Sequence, residues 1–582
     1  MSPSWLLLLS LSIAGACRAL SAAEPPAAQA PLREPGDLVL LGGKIVTLDD
    51  DLPEAQAIAI SDGRIVAVGR DGDIRGWIGD STRVIDLGGR LVVPGFIESH
   101  GHFLSLGRMK LDLDLKPART WDEVVELVAA RAAAAPAGQW IVGRGWHQEK
   151  WERPPAPNVE GYPVNEKLSR ASPENPVLLI HGTGHAVLAN VAAMELAGIT
   201  RDSTDPPGGT ILRDAAGEPT GVLRETAQGP VHRAYERAQA SRPESERLEE
   251  TRKAFELATA ECLESGVTSF QDAGSSLESV QFFREQADRG RLKVRLWVML
   301  RESNARLREV LPKYRLVDHA GGFLTVRAIK CMADGALGSH GALLLEAYRD
   351  LPGSSGLRVQ SLETVRETAL LAARHDFQVC THAIGDRANR EVLDLYQQIF
   401  RSFPERRDWR WRIEHAQHLH PADIPRFTEL GVIASMQGVH ATSDAPFVVA
   451  RLGAERARTG AYAWRSLLDA GAIIANGTDA PVEDLDPIVS FYSSVTRRVG
   501  RDGTTFFPEQ RMTRLEALRS YTRDAAFAAF EERDKGTLTP GKRADLVVLS
   551  QDLLTVPEDQ IPATRVKLTI VGGEIAYSRA GL

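Results

Sequence analysis

Cysteine is scarce in this 582-residue chain. Cys17, Cys262, Cys331 and Cys380 are the full complement, which excludes a disulfide framework. Positive charge is not in excess either: 69 Lys and Arg stand against 77 Asp and Glu, a net charge of -8. Phosphate contacts need a clustered basic surface, so no nucleic-acid partner is expected. The one notable apolar run, residues 5–16, is too short to span a bilayer, and no transmembrane segment is expected. Phosphate-cradling glycine motifs and a nucleophilic Ser or Cys elbow are also missing. A chain this long buries enough core to fold without staples, so a bound metal is expected to be functional before it is structural.

What is present begins with a leader. Residues 1–23 read as a signal peptide, an apolar stretch followed by small residues, although no Lys or Arg precedes it. Two processing sites compete. Ala14-Gly15-Ala16-Cys17 resembles a lipobox that would place a lipid anchor on Cys17, whereas Ser21-Ala22-Ala23 fits a general small-residue cut. Residues 24–36 are Pro- and Ala-rich and read as a solvated linker. The expectation is an exported protein, whether periplasmic, secreted or lipid-anchored.

Both ends of the remaining chain share one grammar of short β-branched runs around Gly turns, such as Ser61-Asp62-Gly63 and Val571-Gly572-Gly573. They predict a small sheet domain assembled from residues 37–90 and 535–582. Between them lie eight near-continuous apolar stretches, at 91–97, 267–272, 294–300, 325–331, 378–382, 411–415, 432–436 and 472–476. Helix-length segments separate most of them. That rhythm predicts an α/β fold, a (β/α)8 TIM-type barrel over 91–534, with an open doubly wound sheet as the alternative. The gap between the first two strands is far too long for a loop and predicts an inserted subdomain at about 118–250.

Chemistry in such barrels sits at the C-terminal strand ends. The first strand runs into His100-Gly101-His102, whose period-two spacing turns both imidazoles to one side. Lys330 ends the fourth strand, where a buried cation must be paired or chemically altered. His382 ends the fifth strand, His415 the sixth, and Asp479 follows the eighth. Any one of these fits a structural role, a satisfied core histidine or a helix cap. Six such groups at one end of one barrel instead suggest a site for zinc or a related divalent metal.

These stretches resemble the amidohydrolase superfamily, in its amidohydrolase-3 or YtcJ-like group. The matching motifs include Pro94-Gly95-Phe96-Ile97-Glu98-Ser99-His100-Gly101-His102, Ala333-Asp334-Gly335, Thr381-His382-Ala383, Glu414-His415-Ala416, Gly477-Thr478-Asp479-Ala480-Pro481 and Gly541-Lys542-Arg543-Ala544-Asp545. The resemblance implies a closed barrel with a composite β-sandwich and an inserted cap. It also implies one or two divalent metals, His100 and His102 holding the first and His382 and His415 the second. Asp479 would be shared ligand and general base, and Lys330 would bridge as a CO2-derived carbamate. The implied reaction is hydrolysis of a non-peptide C–N bond, amide or N-formyl, by metal-activated hydroxide. His185, which follows Thr183-Gly184 where the group has Asp-Gly, and Trp146 are the candidate substrate-binding residues.

The expected partner is a small molecule, and a homodimer is a candidate assembly. Ester, lactone or carbamate hydrolysis on the same site is the close alternative. A barrel isomerase or lyase, and a non-catalytic scaffold, are the rivals from other classes.

Overall fold

A computed structural model describes residues 34–500 and 503–580. The leader, its two processing sites and most of the linker lie outside the described residues. Eight parallel strands form the central sheet: β1 (Phe96–Gly101), β2 (Val267–Ser275), β3 (Arg295–Leu300), β4 (Leu324–Met332), β5 (Gln378–Ala383), β6 (Arg412–His415), β7 (Ile433–Gln437) and β8 (Ile474–Gly477). Each pairs with its sequence neighbour, and the sheet curls until the edges β8 and β1 meet. The strands are buried along almost their whole length because helices cover the outside. The helix Arg523–Ala528 plugs the N-terminal end. Ala525 and Ala526 pack on Ile97, and Gln271 and Gln378 donate to the carbonyls of Ala525 and Ala528.

The first strand departs from the sequence reading. Residues 91–97 do not form one barrel strand. Leu91–Pro94 belongs to a different sheet, pairing with Lys44–Val46 and Leu546–Leu549, and the barrel strand starts at Phe96. Gly95 makes the crossing, since a Cβ there would lie 2.2 Å from Thr268 Oγ1. The sheet domain drawn from both termini therefore extends through Pro94.

Two sheets face each other beside the barrel, a four-stranded one (64–69, 57–61, 38–41, 83–86) and a six-stranded one (574–578, 566–571, 546–549, 91–94, 44–46, 54–55). Strand alternation explains their contacts. Leu546, Val548 and Val92 meet Leu38, Leu40 and Ile58 between the sheets, whereas Val547, Leu549, Leu91 and Val93 pack against the barrel. Arg295 of β3 pins the two bodies, with bonds of 2.7 and 2.9 Å to the buried Asp545 carboxylate.

Between β1 and β2 a third body forms a six-stranded sheet from Leu113–Asp114 to Pro219–Glu225. Trp121–Ala134 and Glu166–Ala171 pack on one of its faces, Val191–Ala197 and Gly229–Ala240 on the other. The next helix, Glu244–Glu264, lies against Phe103–Met109, where Gly107 lets its backbone approach the Ala254 carbonyl. Among the described residues no helix is long and apolar enough to cross a membrane.

Candidate metal centre

The C-terminal strand ends open into a cavity of ≈ 250 Å³ shared by the barrel and the insert. His382, His415 and Asp479 line it from the barrel; His147, Trp151 and His185 line it from the insert. His100, His102 and Asp479 each turn one donor atom into a group whose members lie within 4.8 Å of one another. His102 Nε2 is 3.2 Å, and His100 Nε2 3.7 Å, from Asp479 Oδ1. The His415 ring lies 4.7 Å from that of His100 and 4.6 Å from that of His382. Lys330 Nζ is 3.1 Å from His100 Nε2. All six groups thus meet at one place. His415 and Asp479 hold it with left-handed backbone, at φ 74 and φ 58, a conformation that concentrates at functional sites.

Their orientation is fixed from behind. His100 donates Nδ1–H to Glu414, whose other bonds come from Arg412 at 2.7 and 2.9 Å. Burial alone would raise the Glu414 pKa, but Arg412 and His100 outweigh it and hold the carboxyl well below the usual range. His415 donates Nδ1–H to Gln437 Oε1 at 2.7 Å. Both rings therefore present a bare Nε2 to the centre, as metal-binding imidazoles do. Asp334 accepts backbone N–H bonds from Leu343, Ile384 and Gly385 at 2.8 to 3.0 Å, tying the loop after β4 to the end of β5 beside His382.

The donor set fits a divalent ion. His382 Nε2 is buried without a hydrogen bond, and Asp479 Oδ1 is buried with only the His102 ring within reach, at 3.2 Å; such atoms are costly unless something else pairs them. Burial lowers the His100 pKa to about 4 and drives His382 and His415 well below 6.5, which favours the neutral imidazole that a metal can bind. Burial resists ionisation of Asp479, yet the hydrogen bond from His102 keeps it a carboxylate. Burial also brings Lys330 down to about 8. Imidazole with carboxylate suits zinc and its neighbours.

The two substrate-side residues part company. His185 lines the cavity, its ring 5.0 Å from His382. Trp146 does not. It is fully buried in the insert, donates Nε1–H to the Leu179 carbonyl at 3.0 Å, and stacks on Trp151. The reason is strand alternation: Trp146 turns into the insert's core, and the wall of the cavity is built by His147 and Trp151.

Sequence reasoning also missed Glu225. Its carboxylate accepts from His185 Nδ1 at 2.7 Å and from Ser339 Oγ at 3.3 Å. Gly335 and Gly341 leave room for it, since a Cβ on either would come within 2.2 Å of Oε1. Glu225 thus fixes the His185 ring from another strand. The available signal was a charged residue closing an otherwise buried strand.

A (β/α)8 barrel carrying four histidines, a lysine and an aspartate at its strand ends defines a class, the barrel hydrolases that work with bound metal. Within that class the chain belongs to the amidohydrolase family, whose profile matches residues 83–577. Protein LONG AFTER FAR-RED 3 of Arabidopsis thaliana is 35% identical over 555 residues, covering 93% of this chain and 91% of that one. The N-substituted formamide deformylase of Arthrobacter pascens is 28% identical over 556 residues, covering 94% and 99%. A solved metal-dependent hydrolase of Pyrococcus furiosus superposes with a TM-score of 0.68 at 28% identity, covering 89% of this chain and all of its own.

Proposed function

We propose that this hydrolase cleaves a non-peptide carbon–nitrogen bond, of the amide or N-formyl type, in a small molecule. The observation that carries the reading is Asp479: a buried, ionised carboxylate lining the cavity, with Oδ1 3.2 Å from His102 Nε2 and 3.7 Å from His100 Nε2. Its similarity to a formamide deformylase supports the choice of bond.

His100, His102 and Asp479 would hold one divalent ion, and His382 with His415 a second. When bound, zinc would polarise the scissile carbonyl and lower the pKa of water. Lys330 would join the two sites as a carbamate: its neutral amine adds to CO2, an N–C bond forms, and one proton leaves. The lowered Lys330 pKa keeps that neutral amine accessible near neutral pH. Asp479 takes the proton of the attacking water and delivers it to the departing nitrogen. His185, held by Glu225, faces the substrate beside His382.

The test is turnover of N-substituted formamides and acylamides by zinc-loaded enzyme, read as amine and acid released in equal amounts. Asp479→Ala should lose turnover by ~10²-fold or more while staying folded. Wild-type turnover in that variant, or hydrolysis of esters with none of amides, would overturn the reading.

A further inference from the structure

The insert carries a buried polar atom that the chemistry above leaves unused. His147 is 5% exposed, lines the cavity, and its Nε2 has no partner. Its protonation is legible from its bonds. Nδ1 accepts the backbone N–H of Glu149 at 3.3 Å, so the ring proton sits on Nε2 and makes that atom a donor. The ring cannot easily swing away. It lies 4.4 Å from the His181 ring on one side and stacks at 5.5 Å on Phe447. Gly338 borders the donor, and a Cβ there would lie 3.3 Å from His147 Nε2. A fixed, desolvated N–H beside a cavity is what a site selective for a hydrogen-bond acceptor contains.

The charges around the same cavity say what that ligand lacks. Lys116 pairs with Asp484 at 2.7 Å, Lys150 with Glu483 at 3.4 Å, and Arg119 with Glu152 at 2.8 Å. Asp444 accepts from Tyr462 Oη at 2.6 Å and Gln417 Nε2 at 3.1 Å. Each cationic lining group thus already has a carboxylate partner, so an anionic substituent would find no free counter-ion, and the Asp444 carboxylate already accepts from two neutral donors. Trp151, Leu337, Ile384 and Val482 supply the apolar wall.

We infer that His147 is a specificity residue, donating Nε2–H to an acceptor atom on the nitrogen-side substituent of an uncharged, N-substituted substrate. The assignment of that substituent to an amide nitrogen rests on the function proposed above; the donor and the pairing of the cationic lining groups do not.

The experiment separates the two. Zinc-loaded full-length enzyme is titrated calorimetrically with N-benzylmethanesulfonamide, a neutral amide mimic that is not hydrolysed. Its three methoxy-ring isomers and its carboxylate and aminomethyl derivatives follow. At least one methoxy isomer should bind about five- to tenfold more tightly than the parent, the worth of one neutral hydrogen bond. His147→Phe, which keeps a ring between His181 and Phe447, should erase that preference, and His147→Gln should restore most of it. Gly338→Ala, whose Cβ would press on His147 Nε2, should reduce it. The charged derivatives should bind more weakly than the parent. The inference is overturned if no isomer gains, if His147→Phe keeps the ratio, if a charged derivative binds best, or if none binds at millimolar concentration. Failure to hydrolyse the matching N-formyl compounds, with the binding ratio intact, would instead remove the proposed reaction and leave His147 its role.

Discussion

Glu414→Gln separates two functions that the structure gives one carboxylate. The side chain is fully buried, with Arg412 on one side and His100 Nδ1 on the other. Arg412 also bonds Ser99 O at 2.6 Å, Ser435 Oγ at 2.7 Å and Gln271, so glutamine leaves the guanidinium hydrogen-bonded but without its counter-charge. Stranding one member of a buried pair costs about 3–5 kcal/mol, and the retained bonds put this variant at the lower end of that range. The effect on the metal is distinct. A charged acceptor behind a ligating imidazole raises its basicity and fixes its tautomer, and losing such a partner weakens metal binding by about 10–100-fold. Urea unfolding of the zinc-free protein reads the first quantity, and zinc competition against a chromogenic chelator reads the second. An unchanged zinc affinity in a destabilised variant would refute the claim that Glu414 acts through His100. An unchanged midpoint with weakened zinc would refute the claim that Arg412 depends on it.

Three further outcomes follow. Asp545→Ala should destabilise the contact between barrel and sandwich by ~3–5 kcal/mol, because it leaves Arg295 buried and unpaired. Burial opposes ionisation of Asp545, but Arg295 wins and depresses its pKa. Its contribution is therefore complete above the unfolded value of ~3.9 and is lost as pH falls below it; a wild-type acid unfolding profile matching that of Asp545→Ala would contradict this. Glu225→Gln should lower kcat by roughly tenfold or more with little change in KM, and His185→Ala should add little to it, since the two act as one unit; additive losses in a double-mutant cycle would contradict the pairing. Trp146→Phe should lower stability, through the lost bond to Leu179 and lost packing, while leaving KM unchanged; a raised KM would return Trp146 to the cavity wall.

Which features were legible follows from what burial costs. Strands buried on both faces must be apolar almost throughout, so β2 to β8 stand out of the sequence. His382, His415 and Lys330 stand out for the converse reason: polar groups at the ends of such strands need partners. The same pattern misled at residues 91–97. Two apolar strands of different sheets abut there with Gly95 between them, and composition does not mark a change of sheet. Trp146 misled because adjacent strand positions face opposite ways, so one residue separates the insert's core from the cavity. The hidden residues, Glu225 behind His185 and Gln437 behind His415, come from distant segments. Their pairing exists only once strands have docked, so no local motif around His185 or His415 announces it.

The closure of the barrel and its chemistry lie in the same few bonds. β8 and β1 are the two edges of the sheet. Thr478 N–H donates to Glu98 Oε1 at 2.6 Å, Asp479 N–H to His100 O at 2.8 Å, and His102 N–H to Ala480 O at 2.7 Å. Burial pushes the Glu98 carboxyl up to about 8, so one of these acceptors is itself weakly charged at neutral pH. His100 and His102 belong to one side of this seam and Asp479 to the other. A divalent ion held by all three would staple the edges together, and binding to the native state alone stabilises it by ~2.7 kcal/mol at a hundredfold excess over Kd. Zinc removal should therefore act locally before it acts globally. Hydrogen exchange at the amides of His102, Thr478 and Asp479 should accelerate in chelator-treated protein, while the amides of β2 and β3, paired on both sides, keep their protection. Equal acceleration at both places would mean that the metal stabilises the whole fold and not the seam, and no change at either would mean that the barrel closes without help from its site.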